Sequence, residues 1–157
     1  MADTIPLTRD GLKVLKLELE RLKSQDRPHI IQEIAEARSH GDFSENAEYH
    51  AARDRQGFIE ARIADLEDKL GRAEIVDFSN TPSDQVKFGA FVTLSDESSG
   101  ETKTYRIVGD LEADIATNKI SLSSPIARAL LGKRVADLIE VRAPKGVTEY
   151  LITEVRY

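Results

Sequence analysis

Two carboxylates three residues apart, Asp42 and Glu45, lie in the stretch "HGDFSEN" between two long helical patterns. Oxygen ligands at this spacing around a helix start can converge on one divalent cation, and Mg²⁺ accepts two carboxylates while keeping other ligands. Two carboxylates alone hold such an ion weakly, so a working site needs further acids or phosphates from another molecule. The pattern therefore indicates a metal site that a partner completes.

The same spacing also fits a structural role, and the residues alone leave both open. In a capping box, Asp42 accepts a hydrogen bond from the Glu45 amide while the Glu45 side chain reaches back, and capping statistics favour this alternative. Phe43 favours the ligand interpretation, because Asn46, three residues further on, cannot complete a hydrophobic staple. The Phe43 ring could press on a base or a partner's wall, or simply fold back over Ala47.

Three arginines lie within a few turns of the tip: Arg38, Arg53 and Arg55. Their forked donors could contact phosphates. Alternatively, they pair with neighbouring acids such as Glu36 and Glu48 on the solvated face of the helices, which is the commoner fate of helical charges. The three histidines are ten or eleven residues apart, which matches no compact metal-ligand spacing on one helix. The chain also lacks a nucleophile-and-base motif and a phosphate-binding glycine loop.

Apolar seams on both sides of the tip predict an antiparallel helical hairpin. Thr8 can cap the first arm, and Pro28 predicts a kink or a fresh start with the proline in a first turn. The seam of the first arm is carried by Leu12, Leu15, Leu19 and Leu22, then by Ile30, Ile31, Ile34 and Ala37, and stops at Gly41. The second arm, from about Glu45 to Leu70, would extend roughly 40 Å. Its seam is carried by Ala52, Ile59, Ile63, Leu66, Leu70 and Ala73.

After Asp77 the apolar period changes from helical spacing to alternation, which predicts strands within "KFGAFVTLS", "TKTYRIVG", "DLIEVRA" and "TEYLITEVRY". Between them, Ser124 as a cap, Pro125 at the first helical position and Gly132 as a stop predict one short helix. The predicted fold class is α+β. We expect a coiled-coil hairpin over residues 1–78 and a small antiparallel sheet domain with one short helix over residues 79–157.

The composition restricts the functions available. The chain has 157 residues and a net charge of −6, of which −5 precedes Phe78. This balance argues against a broad basic surface that coats nucleic acid. No cysteine is present, so disulfides and thiolate zinc sites are excluded. No membrane-length apolar run or signal-peptide layout occurs, and we expect a cytoplasmic protein.

Two long segments resemble a known family. The segment "IAEARSHGDFSENAEYHAARDRQGFIEARIADLEDKL" resembles the hairpin of the Gre family of bacterial transcript-cleavage factors. The segments "YRIVGDLEAD" and "ISLSSPIARALLGK" resemble the carboxyl-terminal domain of that family. The resemblance covers essentially the whole chain, and the acidic hairpin resembles the family branch with the less basic coil.

The resemblance implies a mechanism. Gre factors thread their coiled coil through the secondary channel of RNA polymerase and stimulate its intrinsic cleavage of backtracked RNA, while the polymerase remains the enzyme. By position, Asp42 and Glu45 match the tip acids that help to hold the second Mg²⁺, which is shared with the polymerase and not bound tightly by the free protein. Phe43, Ser44 and Asn46 would surround the water and the 3′ end of the RNA. Arg38 and Arg53 match the basic patch that guides the extruded RNA.

The resemblance also implies that the second domain has an FKBP-like fold that docks on the rim of the channel. Gly109, Asp110, Ser124 and Pro125 fall in its most family-like stretches and are the expected docking residues. The factor is expected to act as a monomer and not on membranes.

Two rival functions remain open. One is a regulator that occupies the channel without promoting cleavage. The other is a peptidyl-prolyl isomerase or chaperone, although its aromatic residues read mostly as core: Phe88, Phe91, Tyr105, Tyr150 and Tyr157.

Overall fold

A computed structural model describes residues 3–41, 46–80 and 83–157. Internal contacts divide the chain into a hairpin unit, Met1–Thr4 with Leu12–Ala73, and a sheet unit, Ile5–Gly11 with Glu74–Tyr157. The predicted α+β class is confirmed, with a helical hairpin followed by a mainly antiparallel sheet. No helix in the described ranges is long and apolar enough to cross a membrane.

The first arm is a helix with a wider turn in its middle. Thr8 caps it as predicted, because its hydroxyl accepts a hydrogen bond of 3.0 Å from the Gly11 amide. Pro28 has no amide hydrogen, so the ordinary helical ladder cannot continue through it. The chain instead forms a short π-helix before the proline, and a new helix starts with Pro28 in its first turn. The elements are α1 (Arg9–Arg21), the π-helix (Leu22–Asp26) and α2 (Arg27–Ser39).

The second arm is a single helix, α3 (Ala47–Gly71), about 37 Å long at the usual rise per residue. Most of the predicted seam is buried, with Leu15, Leu22, Ile30, Ile34, Ala37, Ala52, Ile63 and Leu66 inside. Two seam predictions are wrong. Ile31 is 53% exposed because the helical period carries it off the seam. Ala73 lies in a strand, since α3 ends at Gly71.

Ion pairs between arginine and glutamate join the arms. Arg62 contacts Glu18 at 2.7 Å, Arg27 contacts Glu60 at 2.9 Å and Arg55 contacts Glu33 at 2.5 Å. Along the first arm, Glu18, Arg27 and Glu33 pair in turn with residues of falling number on the second arm. The two arms therefore run antiparallel.

The sheet unit is built on a five-stranded sheet, whose strands are β3 (Phe91–Asp96), β4 (Thr102–Val108), β5 (Lys119–Ser121), β6 (Leu138–Ala143) and β7 (Gly146–Arg156). Their order across the sheet is β5-β4-β3-β7-β6. All neighbouring strands are antiparallel except β4 and β5, which are parallel, so the wholly antiparallel prediction is wrong for that pair. A connection containing a short 3₁₀ turn makes this parallel return possible.

One face of this sheet is covered by the short helix α4 (Pro125–Leu130), which contributes Ala127 and Leu130 to the core. Ser124 caps α4 and Gly132 follows it with φ of 85°, so the predicted start and stop are confirmed.

Two further strands, β1 (Ile5–Leu7) and β2 (Ala73–Ile75), form a small separate sheet. The residue after β1, Thr8, donates both its amide and its hydroxyl to the Glu112 carboxylate. Gly109 donates its amide to the same carboxylate at 3.2 Å. The segment Ile5–Gly11 is thereby fastened to the loop after β4.

Candidate functional site

Asn46 organises the described end of the hairpin. Its side-chain oxygen accepts a 3.1 Å hydrogen bond from the Tyr49 amide, which makes it the N-cap of α3. Its side-chain nitrogen donates to the carbonyl of Ala37, near the end of α2, at 2.5 Å. One side chain therefore both starts the second arm and ties it to the first.

This cap corrects the capping-box alternative. α3 begins at Ala47 and not about Glu45, and its N-cap is Asn46 and not Asp42. Asn and Asp cap helices almost equally well, so residue type alone does not favour Asp42 over Asn46. The predicted site residues Asp42, Phe43, Ser44 and Glu45 lie outside the described residues, and their roles stay predictions.

The two arginines expected to guide RNA meet at one tyrosine. The guanidinium of Arg38 lies 5.5 Å from the centre of the Tyr49 ring, and that of Arg53 lies 6.0 Å from it. Arg53 also donates to the Tyr49 hydroxyl at 3.4 Å. A hydrogen bond from Arg38, followed by the charge of Arg53, lowers the pKa of Tyr49 below its ordinary value. The structure thus joins residues of α2 and α3 in one cationic cluster.

Arg55 behaves differently from these two arginines. It pairs with Glu33 across the hairpin, so for Arg55 the ion-pair alternative is confirmed, although with a different acid from those expected. Arg55 also lines a groove of about 320 Å³ together with Glu36, His40 and Glu48. The His40 ring lies 3.0 Å from the Glu48 carboxylate. Among the residues that the structure describes, no group of three or more histidines and acids is placed to hold a metal ion.

Two of the expected docking residues, Asp110 and Ser124, lie in one hydrogen-bonded loop cluster. Asp110 accepts hydrogen bonds from the hydroxyls of Ser121 and Ser123. Both bonds lower the pKa of Asp110, and the bond from Ser121 has the larger effect. Ser124 caps α4 and donates its hydroxyl to the carbonyl of Ser121 at 2.7 Å. Pro125 follows as the first residue of α4. Asp110 is exposed and is held by a fixed set of donors.

Gly109 has a packing role that the sequence did not reveal. A Cβ atom at this position would overlap with the carbonyl oxygen of Pro6, so only glycine allows this close approach. A Cβ at Gly11 would likewise overlap with the Glu112 carboxylate. The docking role predicted for Gly109 stays a prediction, and the structure supplies a second reason for its identity.

Comparison with known proteins identifies the family. The model "Transcription elongation factor, N-terminal" matches residues 5–75, and the model "Transcription elongation factor, GreA/GreB, C-term" matches residues 81–157. The transcription elongation factor GreA of Rhodospirillum rubrum is 56% identical over 99% of both chains. That of Phenylobacterium zucineum is 53% identical over 99% of both chains. The chain belongs to the GreA/GreB family of transcription elongation factors.

Among solved structures, that of the transcription factor Gfh1 is 32% identical over the full length of both chains, with a TM-score of 0.48. The resemblance to the Gre family predicted from the sequence is confirmed by the family models and by the GreA relatives.

Several residues of the candidate sites in this GreA/GreB-family chain were not predicted from the sequence. Tyr49 was not predicted, although its spacing of four residues from Arg53 places both on one helix face. Arg38 is on another helix, so its part in the cluster had no local signal. Ser121 and Ser123 lie within a family-like stretch of the sequence, but no local pattern predicted a role for them.

The aromatic residues of the sheet unit also differ from expectation. Tyr105 and Tyr150 pack against the core as predicted. Phe88 and Phe91 instead line a pocket of about 310 Å³, so their assignment to the core is wrong. Phe91 lies at this pocket because Val92, the next residue of β3, takes the buried face of the sheet.

Proposed function

We propose that this GreA/GreB-family chain inserts its hairpin into the secondary channel of bacterial RNA polymerase and stimulates the polymerase's cleavage of backtracked RNA. Asp42 and Glu45 are the residues that act at the catalytic centre. The observation that supports their role is the cap of α3: Asn46 starts the helix, so neither carboxylate is needed for that purpose. Neither acid is therefore required as the N-cap of α3.

The chemistry fits a shared metal site. Carboxylate oxygens are ligands that Mg²⁺ accepts, and a weakly held second ion, when bound, stabilises charge on the attacking and leaving oxygens of a phosphodiester. Asp42 and Glu45 supply two oxygen donors and the polymerase supplies the rest. The chain contributes no nuclease activity of its own, and it works with the polymerase in the bacterial cytoplasm.

The remaining tip residues and the sheet unit have supporting roles. Phe43 and Ser44 contact the 3′ end of the RNA, and Asn46 holds the end of the hairpin in shape. The loop cluster of Asp110 with the α4 start at Ser124 and Pro125 docks on the channel rim. Asp110 is the best placed of these, because its exposed carboxylate is fixed by two serine hydroxyls.

The test is a cleavage assay on backtracked complexes of the cognate polymerase, with factor concentration as the variable. Asp42→Asn and Glu45→Gln should each lower the maximal cleavage rate at least about tenfold, because an amide is a poorer Mg²⁺ ligand than a carboxylate. Asp110→Ala should instead raise the concentration needed for half-maximal cleavage and leave the maximal rate nearly unchanged. Isothermal titration of the free protein with Mg²⁺ should show no tight site.

The assay also separates the rival regulator. If the wild-type chain binds the polymerase but does not accelerate cleavage, the chain occupies the channel without the proposed activity. If the Asp42 and Glu45 variants cleave as fast as wild type, the assignment of the two acids is wrong.

The aromatic pocket is the one observation in favour of the isomerase rival. Phe88, Phe91 and Tyr157 line it, as an isomerase site requires. Arg9 and Asp10 also line it, each in an ion pair, with Asp77 at 3.3 Å and Arg106 at 3.1 Å. A neutral proline peptide in this pocket would desolvate these charged groups without offering them an ion-pair partner, which disfavours its binding. Isomerisation of such a peptide well above the spontaneous rate would revive the idea.

A further inference from the structure

Two arginines from opposite arms of the hairpin share one tyrosine. Arg38 near the end of α2 and Arg53 in the second turn of α3 both lie against the Tyr49 ring. Arg53 also donates to the Tyr49 hydroxyl at 3.4 Å. The Tyr49 ring is therefore a common contact of both guanidinium groups.

We propose that Tyr49 is a positioning residue that holds the guanidinium groups of Arg38 and Arg53 together as a single site for one phosphate of the extruded RNA. The inference rests on the proposed function, because it assigns a role within the same hairpin and the same substrate. It adds a residue, Tyr49, and a geometry to the pair of arginines expected to guide RNA.

The charges around the cluster favour an anionic ligand. Elsewhere in the hairpin unit, Arg27, Arg55 and Arg62 each pair with a glutamate of the opposite arm. Arg53 has no carboxylate within ion-pair distance in the part of the chain that the structure describes. Two guanidinium groups on one ring favour a phosphate as ligand, because a phosphate can accept charge-assisted hydrogen bonds from both.

Tyr49 is itself held firmly enough to act as a support. Its backbone amide is bound by the Asn46 cap. Its ring packs against the buried cluster of Ile30, Ile34 and Ala52, which joins the two arms. The ring is only half-buried, while both arginines are exposed. The fixed ring therefore presents the two guanidinium groups to solvent.

The position along the hairpin predicts which RNA is affected. Arg53 lies six residues into α3 from Ala47, about 9 Å along the helix axis. RNA that reaches this far must have been extruded past the tip. The cluster should therefore matter more for complexes backtracked by many nucleotides than for those backtracked by two or three.

The experiment measures cleavage of short and long backtracked RNA by the cognate polymerase with Tyr49→Leu, Tyr49→Phe and wild-type factor. Tyr49→Leu should raise the half-saturating factor concentration on long backtracked complexes about tenfold, the value expected for loss of one charge-assisted hydrogen bond. The maximal rate and cleavage of short backtracked RNA should change less than about twofold. Tyr49→Phe keeps the ring and should show a smaller loss. Phe58→Leu is the matched control, since Phe58 is an exposed aromatic residue on the same helix.

A mutant cycle separates positioning from simple packing. In a chain that already carries Arg38→Ala and Arg53→Ala, adding Tyr49→Leu should cause almost no further loss of cleavage, because the groups it positions are gone. The dependence of cleavage on salt should also be weaker in the double arginine variant and in Tyr49→Leu than in wild type. A structural defect would change neither pattern in this way.

Two results would overturn the inference while leaving the proposed function intact. The first is a Tyr49→Leu factor that matches wild type on long backtracked RNA. The second is an equal loss with and without the two arginines, which would mean that Tyr49 acts only through packing. Failure of the wild-type factor to stimulate cleavage at all would instead refute the proposed function.

Discussion

The arms of the hairpin and its described end use arginine in different ways. Along the arms, Arg27, Arg55 and Arg62 each contact a glutamate on the opposite helix. At the end, Arg38 and Arg53 lie against a tyrosine ring instead. The first arrangement satisfies positive charge within the protein. The second places two exposed guanidinium groups against one ring.

This difference bears on how a protein with a negative net charge can bind RNA, which is also negatively charged. The chain as a whole carries a net charge of −6, which repels RNA at long range. The RNA contact that we propose must then be local, and a pair of arginines on one ring is suited to such a contact. Ion pairs along the arms compensate Arg27, Arg55 and Arg62.

Removing the Asn46 side chain should give the largest effect, because this residue belongs to the end and yet stabilises the arms. Asn46→Ala loses both the cap of α3 and the bond to the Ala37 carbonyl. We expect a loss of about 1–2 kcal/mol in the free energy of unfolding the hairpin end, the usual cost of losing a cap. Amide hydrogen exchange should show faster exchange at Tyr49, with a fall in stimulated cleavage.

Asn46→Asp is the informative control for this prediction. An aspartate still accepts from the Tyr49 amide but cannot donate to Ala37, so it should keep the cap and lose only the tie between the arms. Protection of Tyr49 equal to wild type in Asn46→Ala would show that Asn46 does not order this end.

Much of the fold could be predicted from local patterns. Thr8, Pro28 and Ser124 each marked a helix start correctly, because capping and the missing proline amide are properties of a few neighbouring residues. The strands β1, β2 and β5 were missed, because each has only three residues and is defined by its distant partner. Short segments carry too little periodicity to be recognised.

The candidate site shows the same limit. The two arginines were predicted, yet the tyrosine that joins them was not, because Arg38 and Tyr49 are on different helices. Gly109 was predicted as a docking residue, while its close approach to Pro6 is a contact across more than a hundred residues. Contacts between segments far apart in sequence leave no local pattern to read.

Low pH should destabilise the paired arms of the hairpin but not the Arg38–Tyr49–Arg53 cluster at its described end. Hydrogen bonds from Arg62, Arg55 and Arg27 lower the pKa values of Glu18, Glu33 and Glu60 below the ordinary 4.5. A carboxyl whose pKa is lower in the folded state stabilises the fold above its unfolded pKa and loses that contribution as the pH falls through the folded value. We therefore expect amide exchange along α3 to accelerate below about pH 4.5.

The Arg38–Tyr49–Arg53 cluster contains no carboxyl group, so it should not respond in this range. The control is a chain with Glu18→Gln, Glu33→Gln and Glu60→Gln, in which the acid effect on α3 should be much smaller. Asp77, Asp96 and Asp110 also have lowered pKa values, so global melting would mix the two units. An unchanged acid response in the triple variant would mean that other carboxyls cause it.

Single arginine substitutions should give the smallest changes in stability and the clearest contrast. Arg62→Ala removes two hydrogen bonds to Glu18, of 2.7 and 2.8 Å, and should cost about 0.5–1 kcal/mol in urea unfolding with no loss of cleavage. Arg53→Ala removes a weak contact of 3.4 Å and relieves repulsion from Arg38, so its stability should stay within about 0.5 kcal/mol of wild type. Cleavage of long backtracked RNA should nevertheless fall in Arg53→Ala. The reverse pattern, with stability lost at Arg53 and cleavage lost at Arg62, would mean that the arms and not the end contact the RNA.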